Sequence, residues 1–319
     1  MTAPHIVFLD RATLPVPMRR PSFSHTWEEF PHTTADAVAH RLQRATIAIL
    51  NKVPLTAATL AACPSLKLVG IAATGTDVVD VAACAAAGVS VVNVRGYAGG
   101  AVAEHVFTLM LALRRSLFAY QAAATDGTWP GGRTFCVHGP PIEDLEGSTL
   151  GILGLGVLAQ SVIYRAQAFG MHVLVAERRG APAVRPGRTP FEEVLATADV
   201  LSLHCPLTPE TRHLIDAEAL ARMKASALLI NTARGALVDA TALLEALGSG
   251  RLGGAGIDVL DCEPPPTDHP LLRSRDPRLL VTPHVAWASA QSMGRLGEQL
   301  VDLLEAWHQG KPRNLVTPT

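Results

Sequence analysis

Three segments of this chain carry apolar runs into residues that can do acid-base or anion chemistry. "LLVTPHVAW" delivers His284, "LLINTARGALVD" delivers Arg234, and "GAGIDVLDCEPPP" delivers Asp258 and Glu263. An imidazole gives or takes a proton near neutral pH. A guanidinium grips a carboxylate at two points, which an ammonium cannot. A carboxylate behind a histidine orients the ring and stabilises imidazolium. Together these groups suit hydride transfer to a 2-keto acid, which needs a proton at the ketone oxygen and a clamp on the carboxylate. A single polar residue at a strand end is ordinarily a loop residue. Three such ends in one half of the chain point to a crevice, because open α/β sheets bind ligands beyond the carboxyl ends of their strands.

A glycine-rich turn supplies the partner for that chemistry. In "GILGLGVLAQ" (151–160), Gly154, Gly156 and Ala159 form G-x-G-x-x-A between a strand pattern and a helix pattern. The first glycine permits the tight turn, and the second admits a pyrophosphate to the backbone. The small third residue lets helix and strand pack closely. The helix N-terminus then attracts the phosphates. The next strand, "HVLVAE", ends at Glu177, where an acid can bind an adenosine ribose diol. That predicts NAD, with NADP the less favoured cofactor. Arg178 and Arg179 follow at once. They suit either a ribose phosphate or a solvated turn.

The elements that must hold these residues alternate along most of the chain. "HIVFL", "TIAIL", "LKLVGIA" and "VSVVNV" read as strands, and "VVDVAACAAAG" as a helix closed by Gly88. "GGAVAEHVFTLMLALRRSLFAY" reads as one long buried helix. A second strand series starts near residue 147, with "STLGILGLG", "MHVLVAE", "DVLSLHCP", "ALLINTARG", "GAGIDVL" and "LLVTPHVA". Uninterrupted apolar strands separated by helices predict parallel βαβ units. The expected class is α/β, with two doubly wound parallel-sheet domains. The 319 residues exceed what one core usually serves, and a net charge of -1 without a basic block argues against a nucleic-acid surface. No run is long and apolar enough for a membrane span. The N-terminus does not read as a signal peptide. Five cysteines without C-x-x-C spacing read as reduced thiols of a cytoplasmic protein, not as a disulfide or metal framework.

Seven motifs, in order, carry a resemblance. They are "ATGTDVVD" (73–80), "NVRGYAGGAVAEH" (93–105), "GILGLGVLA" (151–159), "HCPLTPETRHLI" (204–215), "NTARGALVD" (231–239), "GIDVLDCEPP" (256–265) and "TPHVAWAS" (282–289). The chain resembles the D-2-hydroxyacid dehydrogenases, most of all their glycerate dehydrogenase and hydroxypyruvate reductase branch. The resemblance implies catalytic roles for Arg234, Glu263 and His284: substrate clamp, partner of the histidine, and proton donor. It implies substrate binding by backbone amides at Ala73, Thr74 and Gly75. It implies dinucleotide contacts from Gly154, Gly156, Val157, Leu158, Glu177, His204, Cys205, Pro206, Thr232, Ala233 and Asp258, the last toward the nicotinamide carboxamide. Val157 stands where many relatives have a polar residue, so phosphate binding there rests on backbone groups. The resemblance also implies a discontinuous, flavodoxin-like substrate domain (1–99 and 288–319), a Rossmann domain for NAD (100–287), a homodimer, and substrates of the hydroxypyruvate or glyoxylate type. A dinucleotide-sensing corepressor of the same fold is the competing reading.

Overall fold

A computed structural model describes residues 3–318. The chain forms two compact units, Met1–Ala98 with Ala288–Thr319, and Gly99–Trp287.

The first unit starts with β1 (His5–Phe8), β2 (Thr26–Glu29), α1 (Val38–Leu42) and β3 (Ile47–Leu50). It continues with α2 (Ala57–Ala61), β4 (Leu68–Ile71), α3 (Val81–Ala86) and β5 (Ser90–Asn93). These five strands pair in parallel, in the order β2-β1-β3-β4-β5, the flavodoxin-like arrangement. β3 and β4 are buried throughout, as expected of central parallel strands. The edge strand β2 is largely exposed and polar, "TWEE". Its pattern therefore gives no sequence signal for a strand.

The second unit opens with α4 (Gly99–Arg114) and α5 (Leu117–Thr125). These correct the single long helix expected from the sequence. Ser116 between them takes a left-handed φ of 47°, which ends the first helix. Then come β6 (Thr149–Leu153), α6 (Val157–Ala168), β7 (His172–Val175), α7 (Phe191–Thr197) and β8 (Val200–Leu203). The unit closes with α8 (Ala217–Arg222), β9 (Leu228–Asn231), α9 (Ala240–Gly248), β10 (Gly254–Ile257), α10 (Pro270–Arg273) and β11 (Leu279–Val281). The sheet is again all parallel, in the order β11-β10-β9-β8-β6-β7. The order reverses at β6, so a crevice opens beyond the ends of β6 and β8. Inside the sheet, Gly256 admits α4. A Cβ there would stand 2.9 Å from the Leu109 Cβ.

The chain returns to the first unit as α11 (Ala290–His308). α11 packs on β4 at Gly70, where Leu300 and Leu304 occupy the space a side chain would need. Arg19 clasps the same helix by ion pairs to Glu298, Asp302 and Glu305. No helix among the described residues is long and apolar enough to cross a membrane.

Candidate active site

The histidine loop is built from its backbone outward. β11 ends at Val281, and His284 adopts a left-handed φ of 55°. A non-glycine residue holds that conformation only where its surroundings dictate it. Here Asp258 dictates it. Its backbone carbonyl accepts from His284 N–H at 2.8 Å. Its carboxylate accepts from Val285 N–H at 3.0 Å, Ala286 N–H at 2.9 Å and the Thr282 hydroxyl at 2.5 Å. His105 on α4 meets the Thr282 hydroxyl at 3.0 Å. The Asp258 side chain has no exposed surface. What it visibly holds is the loop.

This loop turns the His284 Nδ1 toward Glu263, with Oε2 at 2.5 Å. Glu263 Oε1 accepts from Leu260 N–H at 2.9 Å, which fixes the carboxylate. Side-chain exposure is 25% for His284 and 30% for Glu263, so both remain open to a ligand. With Nδ1 committed, Nε2 is the ring atom available for proton exchange. The Arg234 turn is held by Asn231, which is fully buried. Its side-chain amide donates to the Arg234 carbonyl at 2.8 Å, and its Oδ1 accepts from Ala233 N–H at 3.0 Å. Gly235 then passes so close to the 260–261 backbone that a Cβ would overlap Leu260 and Asp261. The loops after β9 and β10, which carry Arg234 and Glu263, are thereby pressed together.

Three observations fit a dinucleotide along the same carboxyl edge of this sheet. Gly154 has φ +94°, and a Cβ there would stand 2.7 Å from Cys205 N. α6 starts at Val157 on an extended Gly156 whose Cα faces open space, leaving the first-turn amides of Val157 and Leu158 for phosphate oxygens. Thr232 Oγ1 is buried without a hydrogen-bond partner. A cleft of about 920 Å³ runs past Gly154, Glu177, Arg178, Cys205 and Pro206. Burial pushes the His204 imidazole down to about 4 and the Cys205 thiol up to about 11, so both side chains are uncharged at neutral pH. Glu177 at the end of β7 is 5% exposed, and Arg185 holds it down to about 2. Arg179 is spent on Asp216 and Glu218.

In the first unit, Ala73 and Gly75 are half-buried and Thr74 exposed. Asn93 donates to the Thr74 carbonyl at 2.6 Å, and the Thr74 hydroxyl donates to the Val94 carbonyl at 2.9 Å. Sequence reasoning missed His105, Asn231, Gly235 and Arg185. The first three lie inside motifs already quoted, but only their contacts distinguish them from their neighbours.

Residues 107–286 match the family model described as D-isomer specific 2-hydroxyacid dehydrogenase, NAD binding domain. The chain belongs to the D-2-hydroxyacid dehydrogenases. The glycerate dehydrogenase of Methylorubrum extorquens is 49% identical over 312 residues, covering 98% of each chain. The hydroxypyruvate reductase of Blautia hydrogenotrophica is 33% identical, over 89% of this chain and 88% of that one. Among solved structures, a protein from Thermus thermophilus has a TM-score of 0.81 at 34% identity, over 98% of this chain and 100% of that one. As a D-2-hydroxyacid dehydrogenase, the protein is an oxidoreductase that acts on a CH–OH group with a nicotinamide dinucleotide. The corepressor reading is not favoured.

Proposed function

We propose that the protein reduces a small 2-keto acid of the hydroxypyruvate or glyoxylate type to the D-2-hydroxy acid, with NADH preferred. The contact that carries this reading is the 2.5 Å pair of His284 and Glu263, beside the Arg234 turn. The names of the two similar enzymes, glycerate dehydrogenase and hydroxypyruvate reductase, support the substrate class.

The reduced nicotinamide, when bound, supplies the hydride. His284 Nε2 gives a proton to the carbonyl oxygen as negative charge develops there. Glu263 accepts the hydrogen bond of Nδ1 and so orients the ring with Nε2 toward the substrate. In the reverse direction, neutral His284 takes the alcohol proton. Arg234 grips the substrate carboxylate at two points. Ionised Glu177 favours a ribose diol over a 2′-phosphate. Asp258 anchors the histidine loop.

We assign the assembly as a homodimer. Phe118 (56% exposed), Trp129 (51%) and Phe135 (90%) form exposed apolar surface on α5 and the segment after it. That segment is tied to α5 where the Tyr120 hydroxyl meets the Pro140 carbonyl at 2.9 Å. A second copy of the chain is the expected cover. Light scattering on the purified protein tests the assembly, and a monomer would end that assignment. The activity is tested by mixing protein, NADH and hydroxypyruvate or glyoxylate and following the loss of reduced-nicotinamide absorbance. Absence of turnover with both acids would remove the substrate assignment.

A further inference from the structure

The loop after β7 folds back over the strand end and closes on Glu177. Arg185 Nε donates to Glu177 Oε2 at 2.7 Å, and Nη2 donates to Oε1. The backbone N–H of Arg185 donates to Oε2 at 3.1 Å, and that of Arg178 to Oε1 at 2.8 Å. Both oxygens are therefore in use. The acid assigned to the ribose diol carries its own counter-ion. The Arg185 side chain remains 53% exposed, and it lines the cleft together with Arg178 and Arg188.

Two consequences follow. A bare, buried carboxylate repels a 2′-phosphate, whereas a carboxylate in a two-point ion pair is largely neutralised. A diol must also compete with the guanidinium for the same oxygens, while a phosphate can take that guanidinium for itself. Both effects narrow the gap between the two dinucleotides. Held at about 2, the carboxyl stays ionised over the working range, so pH does not relieve this competition.

We propose that Arg185 sets the dinucleotide selectivity of this chain: paired with Glu177, it lets the 2′-phosphorylated dinucleotide bind within about tenfold of the unphosphorylated one. The proposal rests on reading this cleft as the adenosine-ribose site.

The test is equilibrium binding. NADH and NADPH are titrated by their fluorescence, and 5′-AMP and adenosine 2′,5′-bisphosphate by calorimetry, against wild type, Arg185→Gln, Arg185→Lys and Glu177→Gln. Arg185→Gln should lose affinity for NADPH and the bisphosphate by about tenfold or more, while NADH and 5′-AMP bind as well or better. Arg185→Lys keeps the charge and should keep NADPH binding. Glu177→Gln frees the guanidinium and should move the balance toward NADPH. An NADH-to-NADPH affinity ratio that stays at the wild-type value in Arg185→Gln or Glu177→Gln, with NADH still bound, overturns the proposal and leaves the cofactor site standing. Equal loss of NADPH in the Lys and Gln variants overturns it too, because packing of the loop would then be the cause. A wild-type protein that binds neither dinucleotide nor either adenine nucleotide overturns the cofactor-site reading and the proposal together.

Discussion

The two sheets share parallel order and apolar strands but end differently. In the first unit, polar residues at strand ends turn inward to hold loops. Asp10, two residues past β1, accepts from Asn51 N–H at 2.9 Å and Lys52 N–H at 2.7 Å and is 4% exposed. Asn93, the last residue of β5, shapes the Thr74 turn. The second unit repeats this with Asn231 and Asp258, then adds a further layer. Arg234 and His284 lie three residues past their strands, Glu263 lies six past, and none is fully buried. The polar residues named at the ends of β1, β5, β9 and β10 hold loops, whereas Arg234, Glu263 and His284, three or more positions out, keep exposed surface.

The sharpest way to break this distinction is His284→Ala. Reduction should fall by roughly 10² to 10⁴, the usual cost of a lost acid-base group, while the urea midpoint barely moves. A large loss of stability with modest loss of turnover would make His284 another anchor. Next in size, Arg234→Lys should lower catalytic efficiency toward 2-keto acids by about 10², with NADH affinity unchanged, because lysine keeps the charge but loses the two-point grip. Equal weakening of NADH binding would place Arg234 with the scaffold. For the anchors, Asp258→Ala and Asp10→Ala should each cost roughly 2–4 kcal/mol by urea unfolding, since buried backbone N–H groups lose their acceptor. If either variant is as stable as wild type, the buttress role is wrong in that unit.

The smallest effect sharpens the contrast in the first unit. Arg19 draws Glu305 down to about 2, well under its ordinary 4.5. Because the folded value is depressed, this clasp contributes stability above about pH 4.5 and loses it as the pH falls toward 2. Arg19→Ala should therefore lower Tm by a few degrees at pH 7, a modest change suited to a partly exposed pair. The difference from wild type should shrink steadily in melts taken between pH 4.5 and 2. A gap independent of pH would mean that packing of the arginine stem, and not the ion pair, holds α11.

Much of this layout was legible in the sequence because parallel strands must be apolar throughout. "IAIL", "LVGI" and "LLIN" announce themselves, and the glycine turn at Gly154 and Gly156 follows from what a pyrophosphate requires. β2 was silent because an edge strand need not be apolar. The break at Ser116 was silent because "LRRSLFAY" continues a good helical pattern, and only a backbone angle interrupts it. Arg234, Glu263 and His284 stood out by type. That His284 and Glu263 touch depends on loops whose course is set by Asp258 and Asn231, through hydrogen bonds that no spacing rule encodes. Arg185 was missed for a related reason. Its partner lies eight positions back, across a loop with no period.

The contact at Gly235 bears on how this site can be altered. The loops after β9 and β10 touch through bare backbone at that point, so neither can be lengthened, shortened or tilted without displacing the other. Arg234 and Glu263 are in effect one casting. A library that randomises position 235 should return glycine alone among active clones. Attempts to widen the range of accepted keto acids will find their freedom elsewhere, in side chains that can change size without disturbing that joint.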